Sequence, residues 1–283
     1  MIVTRFAPSP TGYLHLGHAH AAIAAHDAAR AAGGRFLLRI EDIDVGRCKP
    51  EFEAAILEDL AWLGLAWETP VLRQSTRFDA YRVALARLDA MGLLYPCFCT
   101  RKEIADEIAR SGAAPHGPEG PMYPGTCRAL PAAERDGRLA SGEAFAMRLD
   151  LAKTAARVDA LSFEERGSGP NGEGGMIAAT PEIFGDIVLA RKDTPASYHL
   201  AVVVDDAFQD VSLVTRGNDL FVATHVQRLL QALLDLPAPA YAHHRLIMDF
   251  EGRKFSKRDA AATLRAMRAA GVTPKDIRAR LQS

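Results

Sequence analysis

Short apolar runs separated by amphipathic stretches mark the first third of the chain. Ile2-Val3-Thr4-Arg5-Phe6 predicts a strand, and Pro8, Pro10 and Thr11-Gly12 then interrupt regular structure. The alanine-rich stretch from Leu14 to Ala32 predicts a helix closed by Gly33-Gly34. Arg35-Phe36-Leu37-Leu38-Arg39-Ile40 predicts a second strand, apolar enough for the interior of a parallel sheet. Strand, helix and strand in about 40 residues make a βαβ unit, the opening of a doubly wound α/β fold.

Two further helices are predicted over 51–63 and 76–91, the second closed by Gly92. The character then changes. Residues 96–182 hold a cysteine cluster and loops rich in Gly and Pro, among them Gly167–Gly175 with five glycines in nine positions. This section reads as an inserted α+β subdomain, flanked by the two parts of one catalytic domain, 1–95 and 183–283. Beyond it, Ala201-Val202-Val203-Val204 carries a buried-strand signal, and Val211-Ser212-Leu213-Val214 predicts another strand. A helix from Phe221 to Leu234, a strand around 245–248, a turn at Glu251-Gly252 and a short helix over 263–271 complete the prediction.

Composition narrows the class. A chain of 283 residues, 48% hydrophobic and 24% charged, can bury one large core or two smaller ones as an ordinary soluble protein. No apolar run reaches the ~18 residues that span a bilayer. Met1 to Arg5 lacks the layout of a secretion signal, so a cytoplasmic location is expected. A formal net charge of −1 gives no global basic field. From Glu251 onward, however, nine Lys/Arg face three acids, an excess of six that suits a phosphate backbone or a solvated helix face equally.

Three of the four cysteines, Cys97, Cys99 and Cys127, fall within about 30 residues, and Cys48 stands apart. In a reducing compartment this spacing argues for a structural zinc rather than a disulfide. Zinc takes four ligands, and Tyr123, His116 and water are candidates for the fourth.

Two short strings carry the chemistry. His15-Leu16-Gly17-His18 lies where the first strand hands over to the first helix. A helix N-terminus offers N–H groups and a positive dipole end to phosphate, Gly17 admits close approach, and imidazoles can donate to phosphoryl oxygens. Lys254-Phe255-Ser256-Lys257-Arg258 follows a predicted strand and turn, and its ammonium groups suit a triphosphate. Taken alone, either string reads as helix-face histidines or a basic surface loop.

As an ordered pair they resemble the HIGH and KMSKS strings of class I aminoacyl-tRNA synthetases, with Phe255 in place of Met and Arg258 in place of the final Ser. Arg5-Phe6-Ala7-Pro8-Ser9-Pro10-Thr11-Gly12 and Arg39-Ile40-Glu41-Asp42-Ile43-Asp44 resemble the glutamyl branch. The resemblance implies ATP binding by His15, Gly17, His18, Lys254, Ser256 and Lys257, with His15, His18 and Lys257 catalytic. It implies a glutamate pocket of Arg5, Phe6, Ala7, Pro8, Ser9, Glu41, Tyr198 and Arg216. The chemistry is consistent: a guanidinium selects a carboxylate, and Glu41 suits the substrate ammonium. Tyr123-Pro124-Gly125-Thr126-Cys127 is similar to a Tyr-x3-Cys element of short glutamyl-like enzymes, which implies Tyr123 as fourth ligand beside Cys97, Cys99 and Cys127.

Only 25 residues, Asp259 to Ser283, follow the second string, where full-length glutamyl-tRNA synthetases continue into a helical anticodon-binding region. The chain therefore resembles the truncated paralogues of that branch and is expected to be a monomer without an anticodon-binding domain. The resemblance implies magnesium, ATP, L-glutamate and queuosine-containing tRNA(Asp) as partners. A truncated enzyme charging the tRNA 3′ end, a non-catalytic RNA-binding relic and a cytidylyltransferase-like enzyme are the alternatives.

Overall fold

The computed structural model describes residues 1–111, 116–118, 120–247 and 263–282, without the side chains of residues 111, 116 and 282. The chain begins β1 (Val3–Phe6), α1 (Leu16–Ala31), β2 (Arg35–Ile40), α2 (Pro50–Trp62), β3 (Glu68–Arg73) and α3 (Phe78–Ala90). There follow β4 (Leu94–Cys97), α4 (Arg101–Ser111), a hairpin of β5 (His116–Gly117) and β6 (Gly120–Pro121), α5 (Ala132–Ala140), β7 (Ala146–Leu149) and α6 (Leu151–Thr154). Then come β8 (Ser162–Glu165), β9 (Gly175–Ala178), β10 (Val188–Ala190), α7 (Tyr198–Phe208), β11 (Leu213–Gly217), α8 (Ala223–Leu233), β12 (Ala240–His244), α9 (Leu264–Ala269) and α10 (Pro274–Gln282).

Strands β1, β2 and β3 pair in parallel, as do β11 and β12. The two groups meet where Ser212 N donates to Val3 O at 3.0 Å and Val3 N donates to Ser212 Oγ at 2.9 Å. The resulting order is β3-β2-β1-β11-β12-β8-β9, and the order of connection turns back between β1 and β11. In an open α/β sheet that reversal opens a crevice at the carboxyl ends of the strands. Helices α1, α9 and α10 share one core with β2, through Ala22, Leu38, Leu264 and Ile277, and Leu264 N donates to Leu14 O at 2.8 Å. A second core joins α3, α7 and α8 to the antiparallel sheet β10-β7-β4. Among the described residues no helix is long and apolar enough to cross a membrane.

The first strand, first helix and second strand fall where the hydrophobic pattern predicts them. Ala201–Val204 does not: it lies in α7, capped by the Ser197 side chain accepting from Leu200 N. Leu200 to Val203 and also Asp205 and Asp206 are buried, so the helix is covered nearly all round and its apolar run mimics a buried strand. The strand predicted around 245–248 is β12, four to five residues earlier. Its polar His243 is buried by pairing with Glu165, which hides the strand from an apolar-run reading. Residues 162–178, read as part of the insertion, supply β8 and β9, and Glu165 pairs in parallel with Tyr241 of β12. The predicted turn at Glu251-Gly252 lies outside the described residues.

One buried charge in this scaffold gives a pH-dependent prediction. Asp59 of α2 is fully buried, neither carboxylate oxygen has a hydrogen-bond partner among the described residues, and Arg268 of α9 stands 3.7 Å away. Burial raises its pKa to about 6, which Arg268 only partly opposes. A raised acid stabilises the folded state when protonated, so that contribution fades as pH rises through about 6. Asp59→Asn is therefore expected to be more stable than the wild type at pH 8, by on the order of 3 kcal/mol. The difference should narrow below pH 6 and vanish near pH 4 in thermal melts. A constant difference across that range would exclude Asp59 as its source.

Candidate active site

A cavity of about 490 Å³ opens at the sheet reversal, at the carboxyl ends of β1, β2 and β11. Its lining brings together every described residue of the predicted ATP and glutamate sets. Arg5 to Ser9 leave β1, His15, Gly17 and His18 open α1, Glu41 follows β2, Tyr198 begins α7, and Arg216 ends β11. Lys254, Ser256 and Lys257 lie outside the described residues. The flanks of that segment are at the cavity: Ile247 lines it, and Thr263 forms a bridge with His15.

The start of α1 differs in detail from a bare helix terminus. His15 is the N-cap, and its Nδ1 accepts from Gly17 N at 3.1 Å. His18 Nδ1 accepts from His15 N at 3.2 Å, so two backbone donors are taken up by imidazoles. Each Nδ1 acts as acceptor, so a neutral ring carries its proton on Nε2. The rings lie 3.9 Å apart, centre to centre. A Cβ on Gly17 would sit 3.1 Å from the His15 ring, so glycine makes room for the cap itself.

The carboxylate and guanidinium groups form two separate networks. In the first, Arg5 Nε donates to Asp206 Oδ1 at 2.9 Å and its Nη2 to Oδ2 at 3.3 Å. Arg39, fully buried, donates through Nη1 to Asp206 at 2.7 Å and to Gln209 at 3.0 Å, and through Nη2 to Glu41 at 3.2 Å. Asp206 thus ties the ends of β1 and β2 to α7 and orients Glu41. Burial pushes the Glu41 carboxyl up, against the opposing charges of Arg39 and Arg5. In the second network, Arg216 donates through Nε to His243 Nε2 at 3.0 Å, through Nη1 to Gln227 at 2.8 Å and through Nη2 to Thr224 at 2.7 Å. Tyr198 Oη stands 3.4 Å from Arg216 Nη1.

Sequence reading missed several wall residues. His20, two positions beyond His18, meets His244 edge-on with ring centres 4.3 Å apart, and both line the cavity. Burial, His244 and Arg245 lower the His20 pKa to about 4, so its ring is neutral at physiological pH. Thr215, Gly217 and Asp219 complete the wall at the end of β11. Their only signal is position, since the sheet reversal that makes them cavity residues is absent from local pattern. His243 is buried behind Arg216.

The cysteine cluster lies apart, at the end of β4. The sulfurs of Cys97, Cys99 and Cys127 lie within 4.8 Å of one another. Tyr123 Oη is 3.4 Å from Cys97 Sγ and 3.6 Å from Cys99 Sγ, and accepts from Cys127 N at 2.9 Å. Sulfurs around a tetrahedral zinc stand about 3.8 Å apart, given Zn–S bonds near 2.3 Å. Three thiols and a phenol converging at this spacing fit a metal. Burial pushes the Cys99 thiol up to about 12.

A parallel sheet whose strand order turns back at β1, paired histidines at the first helix and an ordered acid–guanidinium pocket are the features expected of a class I aminoacyl-tRNA synthetase core. The family model for class I tRNA synthetases (E and Q), catalytic domain, matches residues 1–282. A glutamyl-Q tRNA(Asp) synthetase of Rhodobacter capsulatus is 52% identical over 98% of both chains. A glutamate–tRNA ligase of Aquifex aeolicus is 40% identical, and this chain spans 55% of its length. The crystal structure of a glutamate-tRNA synthetase from Elizabethkingia anophelis superposes with a TM-score of 0.74 at 29% identity, over 91% of this chain and 53% of that one. The chain belongs to the glutamyl-Q tRNA(Asp) synthetase family of class I aminoacyl-tRNA synthetases, which are ligases.

Proposed function

We propose that this protein activates L-glutamate with ATP and magnesium and transfers it to queuosine in the anticodon of tRNA(Asp). The observation that carries the reading is the convergence of Arg216, Glu41 and the His15/His18 helix start on one cavity. Arg216 holds a substrate carboxylate, with Arg5 and Tyr198 beside it, and Glu41 holds the ammonium. Phe6 to Ser9 form the wall between amino acid and nucleotide. The α-carboxylate oxygen attacks the α-phosphorus of ATP and pyrophosphate departs. His15 and His18 donate to the phosphate oxygens as charge accumulates there. Lys254, Ser256 and Lys257 are assigned to the triphosphate. Magnesium, arriving with ATP, supplies further neutralisation of the phosphates. A hydroxyl of the queuosine cyclopentenediol then attacks the adenylate carbonyl and AMP leaves, without a side-chain nucleophile.

The choice of acceptor is supported by the 52% identity to a glutamyl-Q tRNA(Asp) synthetase against 40% to a glutamate–tRNA ligase. The deciding experiment is glutamylation with and without queuosine-modified tRNA(Asp), followed by mapping of the labelled nucleotide. Label confined to queuosine is expected. Glutamate on the 3′ end of tRNA(Glu), or equal labelling of unmodified tRNA, would overturn the assignment.

We further propose one structural zinc held by Cys97, Cys99, Cys127 and Tyr123, organising the part of the insertion that packs around the end of β4. Purified protein is expected to contain about one zinc per chain, and Cys97→Ser to lose most of it, as shown by elemental analysis. Zinc retained in full by that variant would remove the cluster as its site.

A further inference from the structure

Arg216 is 5% exposed, and its hydrogen-bond partners among the described residues are all uncharged: His243, Gln227, Thr224 and Tyr198. The neighbouring arginines are treated differently. Arg5 and Arg39 both contact Asp206, and Arg39 also reaches Glu41. The carboxylate linked to Arg216 is Glu165 of β8, one imidazole away, with Oε2 2.6 Å from His243 Nδ1. Glu165 is itself fixed, because its Oε1 accepts from Gly167 N at 2.8 Å and from His243 N at 2.9 Å. Because His243 Nε2 accepts from Arg216, the proton of a neutral ring must sit on Nδ1, where it is donated to Glu165. Burial, together with the Arg216 charge, keeps that ring neutral.

We infer that Glu165 and His243 are positioning residues that aim Arg216 at a substrate carboxylate while holding their own negative charge out of its reach. This rests on the reading of Arg216 as the carboxylate-binding residue. The physical reason is competition. A carboxylate in direct contact, as Asp206 is with Arg5, would satisfy the guanidinium and oppose a second anion. A carboxylate one ring away still attracts the buried cation, but leaves contact with the guanidinium to the ligand. The Nε bond also pins the guanidinium plane. The group so prepared binds an anionic carboxylate in preference to a carboxamide, which brings no charge to an incompletely compensated cation.

The test is ATP–pyrophosphate exchange at varied glutamate with two variants that split the relay. His243→Asn retains a donor toward Glu165 and removes the acceptor for Arg216 Nε. His243→Gln places an amide oxygen near the former Nε2. The Asn variant is expected to raise the glutamate KM about 10- to 100-fold, with kcat and the ATP KM within about threefold of wild type. The Gln variant should restore the glutamate KM to within about fivefold. If the Asn variant does not fold, the Gln variant decides: a rise of 100-fold there overturns the relay. An unchanged glutamate KM in the Asn variant, or an equal loss of kcat in both, sinks the relay alone. No exchange with glutamate by the wild type would remove the relay together with the substrate reading.

Discussion

Replacing Arg216 with alanine is expected to lower kcat/KM for glutamate in ATP–pyrophosphate exchange by about 10²–10³-fold, while the ATP KM changes little. The effect is large because the pocket is built around this one cation. His243, Gln227 and Thr224 converge on it within 3.0 Å, and each would be left with a buried, unpaired polar atom. Arg216→Lys should recover little, since an ammonium cannot span three acceptors fixed for a planar fork. Arg5 does not substitute, because its Nε–Nη2 edge is engaged by Asp206. A variant that keeps wild-type affinity for glutamate would show that the substrate carboxylate binds elsewhere.

The second large effect is expected from Asp206→Asn. Asp206 sits between two buried arginines and is itself 6% exposed. Burial alone would raise its pKa, but the charges of Arg5 and Arg39 outweigh that and hold the carboxyl below the usual range. Stability from such a group is present at neutral pH and is lost only as pH falls through the lowered value. Removing the charge leaves Arg39, fully buried and with Nε already unpartnered among the described residues, without its main counter-charge. Breaking a buried pair in this way costs about 3–5 kcal/mol. At roughly 2–4 °C per kcal/mol, a fall of about 10 °C in Tm is expected, together with a raised glutamate KM as Glu41 loses its alignment. A melt within about 2 °C of wild type would show that the arginines have other compensation.

How much of this was legible beforehand depended on range. The βαβ opening was readable because apolar periodicity over β1, α1 and β2 is local and each element reports its own burial. Arg5, Glu41 and Arg216 were readable as pocket residues only through resemblance, since nothing local separates a pocket arginine from a surface ion pair. Ala201–Val204 reads as a strand because a helix covered on all sides carries no periodic signal. Asp205 and Asp206, at the end of that same helix, became anchors for groups far along the chain. Asp205 accepts from Gln74, Arg77 and Tyr81, and no local pattern could have announced that pairing.

The sequence by itself determined the opening of the fold, the order of the two strings proposed to bind ATP and the metal-like spacing of Cys97, Cys99 and Cys127. These are local: each depends on the order of residue types over a few turns or strands. The tertiary structure alone decided the division of labour between the arginines. Asp206 lies 201 residues from Arg5 and neutralises it, whereas Glu165 reaches Arg216 only through His243. Which cation is left without a carboxylate in direct contact is a matter of a few ångströms between groups that only folding brings together.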